Sequence, residues 1–132
     1  MSKILLDTNA YSRYLLGDER VLDHLAGADI IYMSVFVLGE LYYGYSQGIK
    51  EVENREKLNT FLDKPSVFLL DATHDTSEFF ASIKKQLKKN GTPIPLNDVW
   101  IAAHTMEMGA ELITYDKHFQ HVPGLRLWKE LP

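Results

Sequence analysis

The stretch ILLDTNAYS, residues 4–12, joins an apolar run directly to a carboxylate. The run Ile4–Leu6 predicts a short buried strand, and Asp7 stands at its end. Moving a carboxylate out of water is costly unless the group is paired or hydrogen-bonded. Taken alone, Asp7 is equally well explained as the N-cap of the next helix or as a metal ligand. The rest of the chain must decide between these two roles.

Beyond this stretch, strand patterns alternate with helix patterns. We expect strands at 3–7, 30–33, 67–70, 112–114 and 125–128, and helices at 10–16, 19–26, 34–46, 51–63, 75–89 and 96–108. Ser34 is expected to cap the helix that it opens, and Asp71 and Asp75 the helix after the third strand. Strands that alternate with helices imply right-handed crossovers and an α/β fold with a mostly parallel sheet.

Composition limits the class of protein. With 132 residues, of which 45% are hydrophobic and 24% charged, we expect one globular domain over residues 1–132. The chain has no cysteine, which excludes disulfides, thiol nucleophiles and cysteine metal sites and suits a reducing cytoplasm. No apolar stretch approaches the ~20 residues that span a bilayer, so we expect no signal peptide and no membrane anchor. The net charge of −4 disfavours coating of nucleic acid by bulk electrostatics, but it permits local contact with RNA.

Four acids occupy unusual positions. Asp7 and Asp116 follow the first and fourth predicted strands, and the carboxyl ends of neighbouring parallel strands meet at one edge of a sheet. Glu40, in FVLGELYYG, is expected at the edge of the buried face of an apolar helix, and Asp98, in PIPLNDVWIAA, opens another helix. Taken singly, Asp98 is better explained as a first-turn helix acid and Asp116 as a turn residue. Together, three or four carboxylates predict a site for a hard cation, Mg²⁺ or Mn²⁺.

Four segments in order along the chain resemble those of PIN-domain ribonucleases, and specifically of VapC-type toxins from bacterial and archaeal toxin–antitoxin pairs. They are LLDTNAY, GELYYG, PIPLNDVWIAAHT and LITYDKHFQHVPGLRL. The resemblance implies a central parallel sheet of strand order 3-2-1-4-5, flanked by helices on both faces. It also implies a Mg²⁺-dependent endoribonuclease that forms a homodimer and is neutralised by a cognate antitoxin.

The family's acidic quartet corresponds to Asp7, Glu40, Asp98 and Asp116. The three aspartates are expected to hold one or two ions, while Glu40 completes the cluster and orients the attacking water. Short polar residues expected to support the acids by hydrogen bonds are Thr8, Asn9 and Thr114. Many family members carry a further Asp two residues after the fourth acid, where this chain has His118. Candidate contacts to RNA are Arg13, Lys117 and His118.

The position of the antitoxin is a further prediction. We expect its C-terminal segment to lie over the active-site groove formed by the helices around Tyr11–Leu25 and Val37–Leu62. An Arg or Lys of that segment would reach the acids, because an acidic pocket suits such a side chain.

Three other functions are compatible with parts of the pattern. A receiver-type signalling domain needs an acidic pair after the first strand, and a D-x-D phosphatase needs a second Asp, whereas the chain reads DTN at residues 7–9. A catalytically inactive PIN fold that only binds RNA or protein would keep the same architecture. The intact quartet favours the nuclease.

Overall fold

The structure, a computed structural model, describes residues 1–131. Its strands are β1 (Lys3–Leu6), β2 (Ile30–Ser34), β3 (Val67–Leu70) and β4 (Glu111–Ile113). Its helices are α1 (Thr8–Leu15), α2 (Glu19–Ala26), α3 (Val35–Ser46), α4 (Glu51–Leu62), α5 (His74–Asn90) and α6 (Leu96–Glu107), followed by a 3₁₀ helix, Lys117–His121. Apart from the last strand, every predicted element is present, with small shifts at its ends.

All strand pairs in the sheet are parallel, and their order is β3-β2-β1-β4. Right-handed crossovers in this order put α1 to α4 on one face and α5 and α6 on the other, which confirms the predicted fold class. The connection that leaves β1 runs to β2 over one face, whereas the connection that enters β4 comes from β3 over the other face. The edge beyond β1 and β4 is therefore the topological switch point, where sites form in such sheets.

The predicted fifth strand, residues 125–128, is reduced to a single parallel bridge between Leu112 and Leu127. The N–H of Leu112 donates to the carbonyl of Arg126 at 2.8 Å, and the N–H of Trp128 donates back to Leu112 at 3.1 Å. The segment thus lies beside β4, as predicted, but the sheet order is 3-2-1-4 rather than 3-2-1-4-5. Pairing stops early because β4 has only three residues, so it offers few groups for a ladder.

The predicted cap of α3 is confirmed, whereas the predicted caps of α5 are not. The Ser34 side chain accepts the N–H of Phe36 at 3.1 Å and caps α3, as predicted. The predicted caps of α5, Asp71 and Asp75, are wrong. Thr73 caps this helix in a reciprocal capping box with Thr76, and a hydroxyl pair satisfies the same free N–H groups that an aspartate would.

The core lies on both faces of the sheet. Its fully buried centre includes Leu5, Leu6, Met33, Leu112 and Ile113, all on the strands. Strands covered by helices on both sides lack the polar–apolar alternation of half-exposed strands, which explains the unbroken apolar run in β1. Within residues 1–131, no helix is both long and apolar enough to cross a lipid bilayer.

Candidate active site

The chain brings two acids together by pairing the strands that precede them. Leu6 of β1 is in register with Ile113 of β4, and the N–H of Asp7 donates to the Ile113 carbonyl at 3.2 Å. Asp7 follows β1 at once, and Asp116 follows β4 after a two-residue connection. Both carboxylates therefore lie at the switch-point edge that the sequence predicts.

Asp7 acts as a helix cap and also faces the other acids. It is 4% exposed, and its Oδ1 accepts the N–H of Ala10 at 2.8 Å, which caps α1. Its Oδ2 accepts the hydroxyl of Thr114. The Thr114 oxygen in turn accepts the N–H of Asp116 at 2.9 Å. Thr114 thus connects the first and fourth acids of the quartet through one hydroxyl group.

Two helices supply the remaining acids. Asp98 lies in the first turn of α6, and its side chain is 15% exposed. Glu40 comes from α3, where the sequence placed it at the edge of the buried face. That expectation is wrong, because Glu40 is exposed. Its Oε1 accepts the hydroxyl of Thr8 at 2.8 Å, so a residue of α1 holds it near the site.

The quartet surrounds one small cavity of about 90 Å³. The cavity is lined by Asp7, Thr8, Asn9, Glu40, Asp98, Ile101 and Asp116. All four predicted acids are in this set, together with two of the three predicted supporting residues. Ile101 has no counterpart in the sequence-based prediction, because an isoleucine one turn after Asp98 is typical of any buried helix face.

Burial and mutual repulsion disfavour ionisation of two of the acids. The pKa of Asp7 is raised from 3.8 to about 6, mainly by burial and also by the charges of Asp116 and Asp98, while hydrogen bonds from Thr114 and Ala10 oppose the rise. Burial also raises the pKa of Asp98 to about 6, with added repulsion from Asp116 and Glu40. Such a cluster gains free energy from a cation that neutralises it.

His118 lies closer to the acids than the sequence indicates. Its Nδ1 is 3.1 Å from Oδ1 of Asp116 and 3.6 Å from Oδ2 of Asp98. One ligand atom from each of these three residues lies within 4.8 Å of the others. Asp7 is outside this triad, and both of its oxygens already accept hydrogen bonds. Each oxygen keeps a second lone pair, so its predicted role as a metal ligand stays a prediction.

The other two candidate RNA contacts lie outside the cavity lining given above. The Arg13 guanidinium is 3.8 Å from the Asp18 carboxylate and 4.2 Å from the centre of the Tyr115 ring. The Tyr115 hydroxyl donates to Asp18 at 2.7 Å, a contact that sequence reasoning missed because it joins residues 97 positions apart. Lys117 is exposed at the start of the 3₁₀ helix. Contact of either residue with RNA remains a prediction.

The donor set fits a divalent cation. It consists of carboxylate oxygens with one imidazole nitrogen at its rim, and no lysine or arginine in residues 1–131 forms an ion pair with Asp7, Asp98 or Asp116. Clusters of carboxylate oxygens suit Mg²⁺ and Mn²⁺. Burial and mutual repulsion raise the pKa values of Asp7 and Asp98, so a bound cation would stabilise the charged cluster.

Comparison with known proteins identifies a family, curated relatives and solved structures that are similar to this chain. Residues 4–125 match the family model described as "PIN domain". Ribonuclease VapC2 of Rickettsia felis is 31% identical over 128 residues, which is 93% of this chain and 94% of the relative. The structure of VapBC2 from Rickettsia felis, bound to a DNA fragment from its promoter, superposes with a TM-score of 0.84 at 27% identity and covers 96% of this chain and 97% of that chain.

A second solved structure agrees. VapBC-1 from nontypeable Haemophilus influenzae superposes with a TM-score of 0.83 at 26% identity, covering 96% of each chain. The sequence match, the fold and the acid-lined cavity at the switch point all support the same family assignment. This chain belongs to the PIN-domain family and, within it, to the VapC ribonucleases.

Proposed function

We propose that this chain is a Mg²⁺-dependent endoribonuclease and the toxin of a toxin–antitoxin pair. The observation that carries the proposal is the convergence of four acids from β1, α3, α6 and the end of β4 on one cavity. Membership of the VapC ribonucleases supports RNA as the substrate. It also removes the receiver and phosphatase alternatives, whereas an inactive PIN fold is an outcome that the experiments below can reveal.

In the proposed reaction, a water molecule attacks the phosphorus of an RNA phosphodiester, and the bond from phosphorus to the 3′ oxygen breaks. The products are a 5′-phosphate and a 3′-hydroxyl, with one water proton passing to the site or to solvent and one proton taken up by the leaving oxygen. A bound Mg²⁺ (or Mn²⁺) lowers the pKa of water and stabilises negative charge on the phosphate oxygens.

The chain's own residues have distinct roles in this proposal. Asp98 and Asp116 supply carboxylate oxygens for the ion, and Asp7 contributes a buried negative charge whose position is fixed by Thr114 and the start of α1. Glu40 is the exposed acid, so it is the one placed to orient a water molecule that arrives from solvent. The Thr8 hydroxyl holds Glu40 in that position.

The test uses purified protein and three RNA pools: transfer RNA, ribosomal RNA and messenger RNA. We expect cleavage with Mg²⁺, none with EDTA, and 5′-phosphate ends that a phosphate-dependent ligase can join. Cutting that resists EDTA, or ends that carry 2′,3′-cyclic phosphate, would show that the 2′-hydroxyl is the nucleophile and would overturn the mechanism. Metal binding without cleavage of any pool would favour the inactive binding module.

The partner proposal concerns a groove between α1 and α4. Tyr14 and Leu15 of α1 and Phe61 of α4 are the apolar residues that line this recess of about 450 Å³, and the rest of its lining is polar or charged: Glu53, Glu56, Lys57, Thr60 and Lys64. Two of the solved structures that resemble this chain are of VapBC proteins, and a third, VapBC-5 from Mycobacterium tuberculosis, is described as a member of the VapBC family of toxin–antitoxin systems, which supports a partner for this protein. We propose that the antitoxin's C-terminal segment lays apolar residues along this groove and an Arg or Lys over the acids.

We expect a short reading frame beside the gene, and co-expression of its product with this chain tests the partner. We expect a small protein to copurify, and Leu15→Asp to weaken the complex more than Leu22→Asp on α2. If the small protein still copurifies with both variants, the groove is excluded as the docking site. If no such reading frame lies beside the gene, the toxin–antitoxin proposal is weakened and the nuclease proposal is unaffected. Homodimerisation and a cytoplasmic location in a bacterium or archaeon are part of the same proposal. Light scattering of the purified protein tests whether it is a homodimer.

A further inference from the structure

The 3₁₀ helix after β4 fixes His118 relative to the fourth acid. Asp116 caps this helix, and its Oδ1 accepts the backbone N–H of His118 at 2.9 Å. The side chain of His118 then turns back, so that Nδ1 lies 3.1 Å from the same oxygen. The same turn brings Nδ1 within 3.6 Å of Asp98, which belongs to a different helix. The imidazole therefore faces two carboxylates that the fold assembles from separate elements.

The distances resemble the edges of a coordination polyhedron. Ligands about 2.1 Å from an ion in octahedral geometry are separated from their neighbours by about 3 Å. The two nitrogen–oxygen distances, 3.1 and 3.6 Å, are close to this value. The three ligand atoms all lie within 4.8 Å of one another. A small contraction around an ion would bring all of them to bonding distance.

A second histidine shows what an ordinary surface pair looks like in the same molecule. His74 lies 4.0 Å from Asp75, its neighbour in sequence, and both side chains are more than 80% exposed. Such pairs contribute little to stability. His118 instead lies beside Asp98 and Asp116, which are 15% and 28% exposed and which line the acidic cavity.

We propose that Nδ1 of His118 is a direct ligand of the divalent ion held by Asp98 and Asp116, and that it shifts the site's preference from Mg²⁺ towards Mn²⁺. An imidazole nitrogen contributes more to the binding of a transition metal than to that of Mg²⁺, which prefers oxygen. This inference rests on the proposed function only in requiring a divalent ion in the cavity. It assigns His118 to the metal rather than to RNA.

The test is pulsed electron paramagnetic resonance of the protein loaded with Mn²⁺ in the absence of RNA. We expect nitrogen modulation from the wild type, a changed modulation when histidine is labelled with ¹⁵N, and loss of the modulation in His118→Asn. His121→Asn is the matched control, because His121 is exposed in the same 3₁₀ helix. Calorimetry should show at least about tenfold weaker Mn²⁺ binding for His118→Asn, with a much smaller change for Mg²⁺.

The outcomes separate this inference from the proposed function. Mn²⁺ bound without nitrogen modulation in the wild type overturns the role of His118 and leaves the nuclease untouched. Modulation that persists in His118→Asn also overturns it. Failure of the wild type to bind either ion overturns both proposals. The labelled wild type keeps the question decidable even where His118→Asn does not fold, because it needs no substitution.

Discussion

Two neighbouring strands, β1 and β2, each lead to a buried polar residue at the same edge of the sheet. The two residues differ in charge and in how their hydrogen bonds are satisfied. Asp7 directly follows β1, and β2 ends at Ser34, which is fully buried. Ser34 Oγ is hydrogen-bonded to Nδ1 of His104 at 2.8 Å, and Nε2 of His104 is bonded to the carbonyl of Asp71 at 3.2 Å. Every polar atom of this second cluster has a partner.

The difference teaches how to tell a structural polar cluster from a functional one. Burial lowers the pKa of His104, so the ring is neutral and the Ser34 end carries no charge that needs solvation. Around Asp7, burial raises the pKa of two acids and the remaining charges repel. A satisfied network stabilises the fold by itself, whereas an uncompensated charged cluster gains free energy from a ligand.

The largest expected effect is on the acidic cluster. Asp116→Asn keeps an oxygen that can cap the 3₁₀ helix but loses the charge that would hold an ion. We expect RNA cleavage to fall by about 10²–10³-fold, because metal ions supply several kcal/mol of transition-state stabilisation. The melting temperature should stay the same or rise, since repulsion with Asp7 and Asp98 is relieved. Cleavage rates with excess Mg²⁺ and thermal unfolding measure both.

Asp75→Asn is the matched control for charge, because Asp75 is exposed at the start of α5. It should cleave RNA at the wild-type rate. Equal activity of both variants would mean that Asp116 only shapes the turn. The acidic cluster would then have no role in catalysis that distinguishes it from the Ser34 cluster.

The second effect is the pH dependence of stability without metal. The folded pKa of Asp7, about 6, exceeds the ordinary value of 3.8, so the folded state binds more protons between these pH values. Its contribution to the free energy of unfolding is therefore largest below pH ~4 and falls as pH rises through ~6, by at most about 3 kcal/mol. Asp7→Asn mimics the protonated form and should lose this dependence.

Urea denaturation in EDTA from pH 4 to pH 7.5 measures the difference between wild type and Asp7→Asn. The two proteins should be similar at pH 4, and the variant should be more stable at pH 7. Added Mg²⁺ should stabilise the wild type at pH 7 more than the variant. A variant that is less stable than wild type at every pH would show that the negative charge of Asp7 is stabilising without a metal.

The third effect tests the other strand end. His104→Leu fills a similar volume but leaves the Ser34 hydroxyl and the Asp71 carbonyl without their partner, which should cost about 2 kcal/mol of unfolding free energy. Cleavage per folded molecule should not change. His74→Leu, on an exposed histidine, is the control and should affect neither quantity. A strong loss of activity in folded His104→Leu would make the Ser34 end part of the active site.

The sequence predicts the acidic end well because its signals are local. Asp7 directly follows an apolar run, Asp98 opens an apolar helix, and a parallel α/β topology brings strand ends to one edge. All four acids of the predicted quartet consequently line one cavity. The exposure of Glu40 was mispredicted because helical periodicity defines a face only to within a residue or so at its border.

The satisfied cluster and the histidine beside the acids could not be predicted in the same way. The partner of His104 is Ser34, 70 positions away, so no local pattern reports that pairing. His118 depends on the direction of a 3₁₀ turn, and its two carboxylates come from different elements. The prediction of a fifth strand fails for a related reason. The pairing of this segment depends on the length of β4, which the apolar run at residues 112–114 does not determine.

The smallest expected effect separates the charge of Glu40 from its position. Thr8 contacts Glu40 through one hydroxyl donor at 2.8 Å, and Glu40 is exposed. Thr8→Val keeps the shape and removes the donor, so the free energy of unfolding should change by less than about 0.5 kcal/mol. The carboxylate then samples more positions, and cleavage should fall a few-fold, far less than for Glu40→Gln. Ser12→Ala is the control, because the exposed Ser12 hydroxyl donates only to the α1 backbone at 3.1 Å. Wild-type cleavage by Thr8→Val, alongside a loss in Glu40→Gln, would mean that Glu40 acts by its charge alone and that water, rather than Thr8, determines where it lies.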